Sequence, residues 1–264
     1  MIFQKNKFGA FIKEDATQSF INFSNELSHS EMFIVMINIG SEYLEENRNQ
    51  VKDILIREFE DYGNEPAEKL IDYLKSESAD QLVSMRTYEQ FYGQMCYARV
   101  VDNVLTYFKE ILGEVIIKTP QILKSKEQER LDFILNFNTI EDLRVAIAKR
   151  KIEALFYAGI DKIESFFEER LGIKVFKNLD DRLVFNQIIK NRNLIVHNRG
   201  RVTKEYVKEF PSCGFEIDSY LFASYEDVSR ISLALSNLLM ILDHEIASKF
   251  DLELIRPSLG SMDA

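Results

Sequence analysis

Apolar side chains recur every three or four positions through most of this chain, the spacing that gathers them on one face of an α-helix. Phe33, Ile37, Gly40, Leu44, Val51 and Leu55 share such a stripe, which predicts a long helix near 30–61 ending at Asp61-Tyr62-Gly63, with a shorter helix near 15–27 before it. Asn64 with Pro66 reads as the next start, because a proline in the first turn loses no hydrogen bond, and that helix is expected to run to about Lys75. Phe91, Met95, Ala98, Leu105, Phe108 and Leu112 predict a helix over 84–117, closed by Pro120, with Asp102 on the same stripe. The polar run from Lys124 to Arg130 reads as a linker or exposed turn. Helices near 140–150 and 151–171 follow, the second carrying Leu155, Phe156, Ile160, Ile163, Phe166 and Phe167 up to Gly172. Asp180 and Asp181 open a helix from Arg182 to about His197, since acidic residues favour the positive end of a helix, and Gly200 ends it. Residues 201–223 are irregular, with a short extended run at Tyr220-Leu221-Phe222. Ser224 and Asp227 have capping-box spacing before Val228, Ile231, Leu235, Leu238, Leu242 and Ile246, so the last helix is expected over 225–250.

Composition agrees with a helical fold. Four prolines and ten glycines in 264 residues leave little punctuation for a sandwich or barrel of short strands, and 46% apolar residues suffice for a sizeable core. Charge narrows the function classes: 43 acidic against 33 basic side chains give a net charge of -10, which excludes a surface that coats nucleic acid or anionic membrane as a whole and leaves room only for a local basic site. Cys96 and Cys213 are the only cysteines and lie far apart, so neither a disulfide framework nor a thiolate zinc site is indicated, and a reducing cytoplasm fits best. The longest mainly apolar run, Met32 to Ile39, is short of the roughly 20 residues that cross a bilayer, and the first residues lack a signal-peptide layout.

One stretch carries chemistry. Asn191-Arg192-Asn193-Leu194-Ile195-Val196-His197-Asn198-Arg199-Gly200-Arg201 puts an arginine, an asparagine and a histidine at the end of an apolar helix. At about 100° per residue, Val184, Ile188 and Ile195 form one edge of the apolar face and Phe185, Ile189 and Val196 the other, so Arg192 projects near its middle. A guanidinium keeps its proton, so there it needs a carboxylate, a phosphate or a protein interface. Asp102, which interrupts an apolar stripe, is the first candidate for that carboxylate and Glu164 the second. Asn193 and His197, four residues apart, lie together at the rim. Lys190, Asn198, Arg199, Arg201 and Lys204 surround the histidine and point to a phosphate-bearing ligand.

The run Arg192-Asn193-Leu194-Ile195-Val196-His197-Asn198 resembles the R-x4-H signature of the HEPN superfamily (higher eukaryotes and prokaryotes nucleotide-binding), in its RiboL-PSP-like form. The context is similar too: the motif ends a helix, a basic glycine-containing turn follows, and a long amphipathic helix comes last. The resemblance covers roughly 85–252. It implies a HEPN-like up-and-down helical bundle over 84–252, with 1–83 as additional N-terminal helices and 253–264 as a tail. It further implies a metal-independent endoribonuclease acting in a toxin–antitoxin or phage-defence setting, with Arg192, Asn193 and His197 catalytic, RNA as substrate, an antitoxin or defence-system partner, no metal and no cofactor. Some HEPN toxins carry a tyrosine two positions after the histidine; Arg199 stands there in this chain.

Cleaving RNA without a metal requires activation of the ribose 2′-OH, protonation of the leaving 5′-oxygen and stabilisation of charge on phosphorus. One chain offers one well-placed histidine, His29 and His244 reading as surface residues, so a homodimer through the motif helix and the last helix would supply the second. The alternative is a helical module that binds RNA or a protein without cleaving. The Tyr and Phe residues follow core stripes, which reads as packing, and Asp180-Asp181 reads as helix capping.

Overall fold

A computed structural model of the chain describes residues 15–76, 88–124 and 128–256. The chain is all-α as its periodicity predicts: ten α-helices carry the regular structure, and two isolated β-bridges are the extended pairings among the described residues. The expected tail beyond Arg256 and residues 84–87 and 125–127 of the expected helix start and linker lie outside the described residues.

The axis is α4 (Glu89–Lys118), against which α1 (Gln18–Glu46), α6 (Ile140–Tyr157), α8 (Leu179–Asn198) and α10 (Tyr225–Phe250) all pack. Val100, Val104, Phe108, Ile111 and Val115 recur on its buried side. Phe108 meets Phe167 and Phe185 edge-on, at 5.5 and 6.3 Å between ring centroids, which ties the ends of two other helices to the axis. The sequence stripe places Phe91 and Met95 on that same side, but they stand 67% and 54% exposed. In the first turns of α4 the inward positions belong to Gly93 and Cys96, and a Cβ on Gly93 would lie 1.9 Å from the Ala223 carbonyl oxygen, so only glycine lets the chain cross there.

α1 is built into this core from its first turn. Phe20, Phe23, Leu27 and Ile34 are buried with the residues of α4 and α10, so the helix that the sequence sets apart within 1–83 shares their core. Thr17 is its N-cap, accepting from the Phe20 amide at 3.2 Å, yet no acid occupies its own first turn. The negative charge favoured at a helix start comes from elsewhere. Glu114 on α4 accepts from the Ser19 amide at 2.9 Å and from its hydroxyl. Asp243 on α10 accepts from the Thr17 amide at 3.1 Å, the Thr17 hydroxyl at 2.5 Å and the Tyr107 hydroxyl at 3.1 Å. Burial pushes the Asp243 carboxyl above its ordinary value, against the opposing pull of these donors. An antiparallel bridge between Ala16 and Ile255 lies beside this clamp.

Three predicted boundaries move. The expected break near 28–30 does not occur: the Ser28 and Ser30 hydroxyls donate to the Ser24 and Glu26 carbonyls, bonding back to the preceding turn while the helix continues. α1 ends instead at Asn47, whose side-chain amide donates to the Tyr43 carbonyl, and α2 (Arg48–Glu60) starts afresh. α6 continues through 150 and 151 to Tyr157, because the left-handed residue that ends it is Gly159, φ 92°. α7 (Ile160–Phe166) then passes through a π-helical turn to Gly172. α3 (Glu65–Leu74) starts on an Asn64 cap as expected and packs with α2 around Leu74. A short helix α9 (Lys204–Glu209) lies in the stretch the periodicity leaves irregular, and another, α5 (Leu131–Ile134), follows the expected linker. α10 carries the predicted capping box, with Ser224 and Asp227 bonding reciprocally. By length and composition alone α10 could cross a bilayer, but Val228, Leu235, Leu239, Leu242, Asp243 and Ile246 are buried inside the protein.

Candidate functional site

The N-cap Asn178 accepts from the Asp181 amide at 2.8 Å and starts α8, which turns Phe185 and Ile188 into the core. Arg192 continues that inward face, with its side chain 20% exposed. Its Nη2 lies 2.7 Å from Asp102 Oδ1 on α4, its Nη1 donates to Asn193 Oδ1 at 3.2 Å, and its Nε is buried without a hydrogen-bond partner among the described residues. Of the two candidate carboxylates, Asp102 is therefore the partner. Glu164 is not: its Oε2 accepts from Arg182 Nε at 2.6 Å, and Asp161 takes the same guanidinium at 2.8 Å. The reason is axial distance, since Arg182 and Arg192 are ten residues apart on α8, about 15 Å along the helix.

The end of α8 is fixed by several independent bonds. Tyr206 on α9 donates to Asn191 Oδ1 at 2.6 Å, and Asn191 Nδ2 donates to Tyr97 Oη on α4 at 3.2 Å. Burial raises the pKa of both phenols, so they stay neutral. Arg199 and Gly200 turn left-handed, φ 54° and 76°, and the Gly200 amide closes on the Leu194 carbonyl at 2.9 Å. A Cβ on Gly200 would come within 2.4 Å of the Gln94 amide nitrogen, which itself donates to the Leu221 carbonyl at 2.7 Å. The Leu221 amide returns to the Gly200 carbonyl at 2.7 Å. Asn198 Nδ2 donates to the Arg201 carbonyl at 2.7 Å, and the Arg201 guanidinium lies 5.4 Å from the Tyr220 ring centre.

On this scaffold His197, Asn198, Arg199, Arg201 and Lys204 are exposed. The side chains of His197 and Arg199 make no hydrogen bond or ion pair among the described residues. Asn193 is half-buried one turn before His197, on the same side of the helix. Lys190 stands apart from the cationic group, because Glu209 pairs with it at 2.9 Å and also accepts from Asn186 at 3.0 Å. The arrangement is a relay in which Asp102 holds Arg192, Arg192 holds Asn193, and an exposed histidine sits beside them among cations. It can bind an anion and exchange protons with it. Among the described residues no group of three His, Cys, Asp or Glu side chains is placed to hold a metal ion.

An open groove of about 880 Å³ borders this helix end, between α1, α4 and α8. Phe33, Phe91, Met95 and Val196 line it, with His29 and Arg199 also on its surface. The periodicity assigns Phe33 and Phe91 to core stripes and leaves His29 as an isolated surface residue; their meeting depends on α1 lying against α4, which no local pattern encodes. One signal is present in the sequence: Asp102 shares a stripe with Phe91 and Met95, and a carboxylate on a stripe marks a face open to solvent or to a cation.

The fold and site together define an all-helical protein with a cation-flanked histidine at a locked helix end. No family model matches the chain, and neither a curated protein nor a solved structure matches it.

Coupling between Asp102 and Arg192 is directly measurable. A double-mutant cycle with Asp102→Ala and Arg192→Ala is expected to give about 1 kcal/mol of interaction, since the pair is only partly shielded from water. A value within error of zero in chemical denaturation would show that the contact does not hold α8 to α4.

Proposed function

We propose that the chain is a HEPN-type, metal-independent endoribonuclease, a toxin or phage-defence effector of the cytoplasm, in which His197 transfers protons. The observation that carries this reading is the exposed imidazole of His197, without a hydrogen-bond or ion-pair partner among the described residues, on a bonded helix end beside Arg199 and Arg201. In the reaction the ribose 2′-oxygen attacks phosphorus, the 5′-oxygen departs, and a 2′,3′-cyclic phosphate remains. His197 takes the first proton or delivers the second. Arg199 and Arg201, both exposed, neutralise the phosphate. Arg192 acts through its neighbours: held by Asp102, it fixes Asn193, whose amide nitrogen is left to orient the imidazole or the phosphate.

Incubating the purified protein with labelled single-stranded RNA in EDTA tests the reading. The expected products carry 2′,3′-cyclic phosphate ends; loss of cleavage in EDTA and its return with a divalent ion would overturn the mechanism. A second reading, RNA or protein binding without cleavage, is favoured by one specific fact, that the charge of Arg192 is already matched by Asp102. Binding without product in the same assay would select it.

The ground for a homodimer changes with the geometry. The inward face around Arg192 is covered by α4 of the same chain, so a second copy is not needed to compensate that charge. What still supports a dimer is the need for two proton transfers, together with exposed Leu183 and Val184 on α8 and Leu233 and Ile241 on α10. Sedimentation at micromolar concentration is expected to give a dimer, and a clean monomer would defeat a site shared between two copies.

A further inference from the structure

We propose that the groove between α1, α4 and α8 is a base-binding subsite for single-stranded RNA, holding a nucleobase that flanks the phosphate presented to His197. It rests on the ribonuclease reading for its ligand and adds the surface that selects an unpaired strand.

A nucleotide in single-stranded RNA is amphipathic in a particular way. Its base has two flat faces that leave water readily when they meet an aromatic ring, and its phosphate keeps a full charge a few ångströms away. The groove has the matching layout. Phe33 from α1 and Phe91 from α4, 53% and 67% exposed, offer ring surface from two different helices, with Met95 and Val196 adding apolar wall. At the α8 side the groove reaches Arg199, whose guanidinium has no acidic partner among the described residues, and His29 faces it from α1. The two acids on the groove, Glu26 and Asp102, are already paired, with Arg99 at 2.7 Å and with Arg192 at 2.7 Å, so the uncompensated charge is positive. The volume, about 880 Å³, lies within the range of sites that enclose small organic ligands. Val196 and Arg199 line the groove and stand on either side of His197 in the chain, so a base held there lies within about one turn of α8 from the residue that carries the imidazole.

The same features argue against a helix from a second copy as the occupant. An apolar helix laid along the groove would cover the Arg99–Glu26 and Arg192–Asp102 pairs and take Arg199 out of water with nothing to neutralise it. A nucleotide leaves the pairs at the rim and brings Arg199 the charge it lacks.

Fluorescence anisotropy with a labelled 12-nucleotide single-stranded RNA, on protein carrying His197→Ala so that the probe survives, reads the subsite directly. Phe33→Ala and Phe91→Ala are each expected to weaken binding about tenfold, with Phe91→Tyr close to the parent and binding of a duplex of the same sequence unchanged. Both phenylalanines are exposed, and unchanged circular-dichroism melting is the accompanying control. Unchanged single-strand affinity in both alanine variants would overturn the proposal, as would an equal loss for the duplex, or a shift from dimer to monomer in sedimentation with RNA affinity preserved. Cleavage by the wild type is scored separately. Phenylalanine-dependent binding without cleavage refutes the ribonuclease and keeps the subsite, whereas His197-dependent cleavage with phenylalanine-independent binding refutes the subsite alone.

Discussion

His197→Ala is expected to lower RNA cleavage in EDTA by about 10²–10⁴-fold, the contribution of a positioned acid or base, while the melting temperature stays where it was. Activity and stability should separate this cleanly because of how the imidazole is placed. It is exposed and has no partner among the described residues, so its removal strands no buried group and opens no cavity. The helix end keeps its shape through Asn191, Gly200 and Gln94, none of which touches the imidazole through a hydrogen bond. Arg199→Ala in the same assay should raise KM more than it lowers kcat if its guanidinium chiefly holds the phosphate. Full activity in His197→Ala would leave the histidine as a residue favoured only by the negative end of its helix.

The largest effect on stability is expected at Asp243. Asp243→Ala leaves the Thr17 amide, the Thr17 hydroxyl and the Tyr107 hydroxyl facing a gap in the core, at about 3 kcal/mol, or roughly 6–12 °C in melting temperature for a chain of this size. Asp243→Asn should cost no more than about 1 kcal/mol. Its carbonyl can take the fixed Thr17 amide, and the two hydroxyls can rotate to accept from its NH₂, which an amide allows and a methyl group does not. The parent protein and Asp243→Asn also differ in pH response. Because burial holds the Asp243 carboxyl above its ordinary value, the native state keeps a proton that the unfolded chain has already released. Stability therefore falls as pH rises from the ordinary carboxylate value to the raised one, and that slope is expected to disappear in Asp243→Asn. Thermal melts between pH 4 and 7 read it, and identical slopes in the two proteins would mean that Asp243 ionises as freely when folded as when unfolded.

Capping and periodicity carried much of the fold in the sequence. Asn64, Ser224 with Asp227, and the pair Asp180-Asp181 act locally, within one helical turn, so their effect survives whatever the chain packs against. The misread boundaries involve residues with two local options. Ser28 and Ser30 can begin a helix or bond back within one, and the choice follows from Phe23, Leu27 and Ile34 being buried along a continuous α1. At the site, the angular position of Arg192 and the carboxylate on the stripe of α4 put Asp102 first of two candidates, and it is the packing of α8 on α4 that selects it over Glu164. The groove was not legible in this way. Phe33, Phe91 and Val196 come from three helices far apart in the chain, and only the packing of α1 and α8 against α4 brings them to one surface.

The clamp at the start of α1 also orders events during synthesis. Thr17 and Asp243 are 226 residues apart, so at roughly 5–20 residues per second the ribosome takes on the order of tens of seconds to make the second after the first. Through that interval the first turn of α1 has its own Thr17 cap and, once α4 is made, Glu114, and the side of α4 that α10 covers stays wet. The motif helix and every residue that bonds its end, up to Leu221, are made before α10, so a nascent chain can assemble the His197 segment while the core behind α4 is still open. What the last helix completes is that core.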